Sequence, residues 1–458
     1  MIPYITLATI LYIVANLLIG FWRLRSTDYA SFVSSKGTFG WLALTLSLAG
    51  TVVGGGMFFA VGQMGFEAGI AVLALPVSYI LGYMILGVAI PHLRRLLSEC
   101  DGNTLYDVLQ YRLNSDDRRT SVYVWLISAV TFAMYFFMFA GQFSILATFY
   151  ISVVGVSRTV AWAVALGVVG SATIVYSVAG GLKKDILTDI LQVIVVLVGS
   201  IVACFFLCRE PIAAFTNVPE NHFNMMGYGI AFPIGVLLFF SPAFVGRFDY
   251  WQRVIAARDA RQAKLSLWGS LPFVFFAYVV FAMLGIYARS QNPDILPANA
   301  AIWALRHLLP GTSFLVVVIA LYAAVMSTSD TLLNVSTVSL HHLVCSTLKI
   351  ERRLPLARLL AVVVSVLASL TVLVAADFVD LIVGGFSSLV ILTPSVLYIL
   401  LAKRPAHLAA ILSVAIGYTC FLAIFVLVEG LRKYAFMPGF LIAGVPIVFT
   451  ALIPRKSK

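Results

Sequence analysis

The fold class predicted by this sequence is an all-α membrane protein with 13 transmembrane helices, and three observations carry the prediction. Apolar residues make up 61% of the 458 and charged residues only 11%, with a mean hydropathy of +1.02. A soluble domain carries roughly a quarter of its residues charged. The apolar residues come in runs near the ~20 residues that a spanning helix requires. The basic residues collect in alternate gaps between those runs, as loop charges of membrane proteins do.

In chain order the predicted spans are 3–23, 40–62, 68–92, 120–153, 159–179, 185–208, 228–246, 266–288, 313–343, 356–376, 379–401, 406–428 and 436–454. The first lacks a basic start and a small-residue cleavage site, so it reads as a retained helix rather than a signal peptide. With the N-terminus outside and the C-terminus in the cytoplasm, the cytoplasmic segments hold 24 of the 30 Lys and Arg residues, among them Lys183, Lys184, Arg247 and Arg253. The other side keeps Arg158, Arg209, Arg289, Arg306, Arg432 and Lys433. One missed helix would scramble this alternation. The same distribution reads the net charge of +11 as loop charge rather than a nucleic-acid surface. The five cysteines (Cys100, Cys204, Cys208, Cys345, Cys420) are scattered and mostly inside apolar runs, which gives no disulfide framework or zinc site.

An ionisable group inside a bilayer is costly and is a functional candidate by default. Of the 19 acidic residues, Asp189 and Asp330 are the two expected at membrane depth. Asp189 follows the Gly180-Gly181 turn about one turn inside a helix. Asp330 shares a helix face with Ser327, Thr331 and Asn334, spaced i, i+3, i+4, i+7. That face reads either as oxygen ligands for a small cation or as hydrogen bonding between helices. Asp189 also reads as a helix-entrance residue near the interface. The run Gly54-Gly55-Gly56 in mid-membrane weakens a helix by roughly 1 kcal/mol per glycine. It reads as a break that frees carbonyls toward a cavity or ion, or as close helix packing. Gln142, in a span crowded with aromatics, reads as a solute contact or as a structural hydrogen bond. His341 and His342 lie at a helix end and need carry nothing. No nucleophile–base pair, phosphate loop or metal-ligand spacing supports an enzyme.

Together these stretches resemble the solute:sodium symporter family. The likeness rests on the glycine-rich helix Ala49 to Gly62 and on the series Gly180-Gly181, Thr188-Asp189 and Gln192. It rests equally on the run Asp249 to Arg258 with Ala263-Lys264, and on Ala324 to Leu332. The resemblance implies a LeuT-like 5+5 inverted-repeat core formed by spans 2–11, with spans two and seven discontinuous. One single transmembrane transporter domain, 1–458, would then comprise an extra N-terminal helix (3–23), the core (40–401) and two C-terminal helices (406–454). It implies a sodium site of backbone carbonyls at Ala49, Val52 and Ala324 with the hydroxyls of Ser327 and Thr328. A second cation or proton site would involve Asp189, Asp330 and Thr331, beside the Ser327 hydroxyl. The solute cavity is expected among Gly54, Gly55, Gly56, Gln142, Phe239, Phe240, Ser387 and Ser388. Thr51 stands where proline-transporting members carry an acid, and Gly56 lacks the polar side chain of sugar-transporting members, so both substrates are disfavoured.

The reading is therefore a sodium-coupled secondary-active symporter of a small organic solute, with Na+ as coupling ion, working by alternating access in a bacterial inner membrane. Its partners are membrane lipid and the solute, with no nucleic acid. The alternatives are proton coupling through Asp330 and Asp189 on the same fold, and a transporter-like solute sensor acting with a separate signalling partner. The absence of a cytoplasmic signalling domain stands against the sensor.

Overall fold

The computed structural model describes residues 2–21, 28–374, 385 and 387–452. Helix α1 (Ile2–Phe21) is apolar on every side. The short α2 (Tyr29–Val33) starts at Asp28, whose carboxylate accepts the Ser31 N–H at 2.7 Å. The predicted span 40–62 is broken: α3 (Trp41–Val52) ends at Val53, Gly54 is extended at φ −87° and ψ 176°, and α4 (Gly55–Ala68) begins. A 3-10 turn at Gly69–Leu73 carries α4 into α5 (Ala74–Glu99). The short α6 (Leu105–Arg112) is fixed by a capping box of Thr104 and Asp107.

Helix α7 (Arg118–Phe149) is capped by Asp117, and α8 (Arg158–Ala165) by Ser157. The long α9 (Ser171–Leu207) turns sharply at Gly181, where φ is +53° and the backbone of Phe32 lies too close for a Cβ. Glycine is required there on both counts. Helix α10 (Ala231–Gly246) is bent 54° from α11 (Phe248–Ala256). Then come α12 (Ala260–Gln291), capped by Asp259, and α13 (Ala300–Leu308). They are followed by α14 (Gly311–Leu348) and α15 (Leu354–Val374). The described chain finishes with α16 (Thr393–Leu401), α17 (His407–Leu427) and α18 (Phe436–Leu452).

Among the described residues, seven helices are long and apolar enough to cross a membrane, and the bent α10–α11 pair makes an eighth. This is fewer than the 13 apolar runs because hydropathy counts the run, whereas breaks at Gly54 and in the α8–α9 region divide the helices. Most of the first half of the predicted span 379–401 lies outside the described residues, as do Arg23, Arg25 and the basic C-terminal residues. The run Phe248–Ala256, expected in a cytoplasmic loop, is a helix with every residue buried. Arg247 and Arg253 are accordingly interior residues, at 5% and 1% exposure, and so is Lys184 at 0%. A count of loop charges cannot tell a solvated arginine from one whose partner is inside.

Helices α3, α4, α5, α10 and α12 pack as one group and α7, α8, α14 and α15 as another, with α9 wedged between α3 and α14. Gly62 and Gly65 of α4 meet Ala282 and Gly285 of α12 backbone to backbone, the close approach that small residues allow in membranes.

Just past the C-terminal end of α14, Arg352 pairs with Asp107, and the Thr104 hydroxyl lies 3.1 Å from His342 Nε2. Burial works to raise the Asp107 carboxyl. His342, Arg352 and the Asn103 N–H outweigh it and hold the group at about 2, below its ordinary 3.8. A depressed acid stabilises the fold above its unfolded pKa, and that contribution is lost as pH falls through the folded value. Asp107→Asn should therefore lower Tm at pH 7, by roughly 2 kcal/mol of stability. The gap to wild type should close as pH falls from about 4 to about 2; a gap constant over that range would refute the assignment.

Candidate ion and solute site

The break in α3–α4 sets the geometry. Ala49 accepts the Val53 N–H at 2.8 Å, which closes the last turn of α3. Beyond it the extended Gly54 carries the chain away, and among the described residues no backbone N–H meets the Val52 carbonyl. Helix α14 lies directly against this point. A Cβ on Gly50 would come within 2.7 Å of Ser327 Oγ, and one on Gly54 would overlap Thr328 Oγ1. Two absent side chains thus allow the Ser327 and Thr328 hydroxyls to reach the broken backbone. Thr328 donates to the Ala324 carbonyl at 3.0 Å, bringing those two oxygens together. Gly50 and Gly54, on either side of Val52, thus lie against Ser327 and Thr328 across the α3–α14 contact. Carbonyls at unwound helix ends, with hydroxyls, are the hard oxygen donors that suit Na+.

Next to this contact, Arg253 of α11 fills the junction. Its guanidinium donates to Thr331 Oγ1 at 2.6 Å, Thr51 Oγ1 at 3.2 Å, Ser47 Oγ at 3.3 Å and Asp189 Oδ2 at 3.4 Å. Ser47 donates to the same Asp189 oxygen at 2.5 Å, and Ser327 donates to the other. Four helices, α3, α9, α11 and α14, meet at this one ion pair. Helix α11 is itself held in place. Arg94 of α5 donates to its C-terminal carbonyls, including Ala257 at 2.7 Å. Asp249 takes the Arg247 guanidinium at 2.6 Å and the Tyr135 hydroxyl at 2.5 Å, and Gln252 donates to Asn334 Oδ1 at 2.8 Å.

The oxygen-rich face of α14 is thus used unevenly. Ser327, Thr331 and Asn334 are bonded to neighbouring helices, whereas neither oxygen of the buried Asp330 accepts a hydrogen bond among the described residues. Sequence reasoning missed Arg253, Ser47 and Asp185. Asp185 is fully buried although it sits in the Lys-rich turn after Gly181. The one signal for Arg253 was its place among Trp251, Val254, Ile255, Ala256 and Ala257, an apolar setting unlike a solvated loop.

The solute candidates fall into two places. Gly56 faces Ile145 of α7, whose Cδ1 would lie 3.7 Å from a Cβ there. Gln142, one turn away on α7, is 4% exposed and its Oε1 has no partner among the described residues. Ser388 binds the same helix two turns further on, through Met134 Sδ at 2.9 Å. Ser387 beside it is half-buried. Phe239 and Phe240, by contrast, have their ring contacts with Phe436 and Phe440 of α18. An aromatic run in a span shows burial but not which neighbour it is buried against.

The sodium:solute symporter family model matches residues 32–417. The chain belongs to the sodium:solute symporter family. That membership makes this symporter a multi-pass membrane transporter rather than an enzyme, and it supports sodium-coupled movement of a small solute. Its fold matches a Na+-coupled sialic acid symporter in a substrate-bound outward-open state, with TM-score 0.77, 16% identity and 99% of each chain covered. A nucleobase-cation-symport-1 family transporter, closed around bromovinylhydantoin, gives 0.57 at 12% identity over 93% of this chain and 96% of that one. The Eremococcus coleocola manganese transporter gives 0.53 at 13% identity, over 94% and 98%. At these identities the likeness is one of fold. No curated protein matches the sequence.

Proposed function

We propose that this symporter binds sodium between the Ala49, Val52 and Ala324 carbonyls and the Ser327 and Thr328 hydroxyls, and uses it to drive a small organic solute across the membrane. The observation that carries the reading is the seating of two adjacent hydroxyls on a broken helix through Gly50 and Gly54. Sodium there ties α3 to α14 and favours one state of the alternating-access cycle, because it binds that state better than the other. The Arg253 cluster just below is the cytoplasmic latch of that state. Its guanidinium already supplies positive charge between Asp189 and Thr331. A second cation at those residues therefore enters only when Arg253 withdraws. The topology proposed with it is 13 spans, with the inverted-repeat core at 40–401 and the N-terminus outside. The solute lies beside Gly54–Gly56 with Gln142 as its polar contact.

The test is thermal stability of the detergent-purified protein in sodium against potassium or choline at equal ionic strength. A ligand at a hundred times its Kd stabilises by about 2.7 kcal/mol. Sodium should raise Tm, and Ser327→Ala with Thr328→Ala should abolish the rise. No sodium response at any concentration, with a melt that moves with pH instead, would replace sodium by proton coupling.

A further inference from the structure

The α2–α3 and α11–α12 linkers run side by side. The Gly37 N–H donates to the Ile255 carbonyl at 3.1 Å, that of Phe39 to Ala256 at 2.9 Å, and that of Arg258 back to Phe39 at 3.0 Å. Helices α3 and α12 therefore start together. They also run parallel, since the Trp41 N–H donates to Gln262 Oε1 at 2.8 Å and the Thr45 hydroxyl to the Ser266 carbonyl at 3.4 Å.

The outer surface of these two starts changes character in a fixed order. Arg258 and Arg261 are exposed and Lys264 is half-buried. Along α12, Arg261, Leu265, Trp268, Pro272 and Val279 fall on one stripe at i, i+4, i+7, i+11 and i+18, and all five are exposed. Lys264 flanks the stripe one turn before Trp268. On the first turn of the neighbouring α3, Trp41 and Leu42 are exposed as well, at 43% and 57%. Cations thus come first, then tryptophans, then bare aliphatic surface. A phospholipid meets a helix with its phosphate, glycerol and chains in the same order, and tryptophan favours the headgroup level.

Most basic residues around this end of the fold are already engaged. Lys36 pairs with Asp101, Arg95 with Glu99 and Arg352 with Asp107, and Arg94 is spent on carbonyls from Val254 to Arg258. Arg258, Arg261 and Lys264 make no ion pair among the described residues. The acid among them, Asp259, caps α12 by accepting the Gln262 N–H at 2.8 Å. Three cations against that one acid leave the patch positive. A zwitterionic lipid brings its own cation to such a patch, whereas an anionic lipid does not.

We propose that an anionic phospholipid occupies this face, with its headgroup among Arg258, Arg261 and Lys264 and its chains along Trp268, Pro272 and Val279. The site needs only a chain that lies in a membrane, and it stands apart from the sodium position.

Native mass spectrometry of the detergent-purified protein tests it, with phosphatidylglycerol and phosphatidylcholine of identical chains added in equal amounts. Wild type should retain phosphatidylglycerol in preference. Each Lys or Arg near an anionic surface is worth about fivefold in affinity, so Arg261→Gln with Lys264→Gln should cut the preference about twenty-five-fold. Neither side chain has a partner to lose, so the Tm in detergent should stay unchanged. Arg118→Gln with Arg119→Gln removes two exposed cations from the start of α7, where Trp125 is exposed too, and should leave the preference intact. Equal retention of the two lipids by wild type overturns the proposal whatever the variants do. An equal loss in the α7 and α12 variants overturns it too, because the preference is then one of overall charge. A rise in Tm with inorganic phosphate as large as with phosphatidylglycerol would make the patch a small-anion site instead. A dimer of wild type that Trp268→Ala abolishes would give the face to a second copy of the chain.

Discussion

Arg253→Ala is expected to lower the Tm more than any other single change at the site. The substitution strands Asp189 as a lone charge with no exposure to water, and breaking a buried ion pair from one side costs about 3–5 kcal/mol. The hydrogen bonds to Ser47, Thr51 and Thr331 go with it. Adding Asp189→Asn should recover part of the loss, because the stranded charge is then gone; a double variant no more stable than Arg253→Ala alone would show that the pair is not the latch. Arg253→Lys should fall between, since an ammonium has three donors at one point, whereas the planar guanidinium spans four side-chain oxygens. With the latch weakened, Ser47→Cys should become reactive to a polar thiol reagent.

Gly54→Ala should produce the second large effect. The added methyl overlaps the Thr328 hydroxyl and lies 3.1 Å from its Cβ, so α14 must move off the break. Overpacking of this kind costs about 1–3 kcal/mol. It should also abolish the sodium-dependent rise in Tm, because the proposed site needs the Thr328 hydroxyl close against the break at Gly54. Removing the obstacle as well, in Gly54→Ala with Thr328→Ala, should restore the basal Tm but not the sodium response. Recovery of both would exclude Thr328 as a ligand, and additive losses would mean the two positions do not touch.

The broken helix and the polar face of α14 were legible in the sequence because both are local patterns. Three successive glycines weaken a helix wherever they stand, and Ser327, Asp330, Thr331 and Asn334 share a face by spacing alone. Their division of labour was not legible. Thr331 is bonded to Arg253 and Asn334 to Gln252, whereas Asp330 is left over, and only the packing of α11 decides that. Arg253 and Lys184 were hidden by the same rule that made the topology readable, which counts every basic residue near a span as a loop charge. The solute contacts were least legible. Gly56 lies against Ile145, one turn from Gln142 on α7, but Phe239 and Phe240 are turned to α18 by partners nearly 200 residues further along the chain.

The ion pair at the centre of the fold also constrains how the protein is made. Asp189 leaves the ribosome 64 residues before Arg253 and 138 before Ser327. Helix α9 must therefore enter the bilayer with a bare acid, at an insertion cost of about 2.5–3.5 kcal/mol for a helix centre. The uninterrupted Val193–Val198 run that follows offsets it, as apolar residues lower the insertion energy of a segment. The nascent chain thus carries an unneutralised acid in the membrane until α11 and α14 arrive. Truncation between the end of α9 and Arg253, which leaves the acid without its guanidinium, should yield a product that quality-control proteases remove.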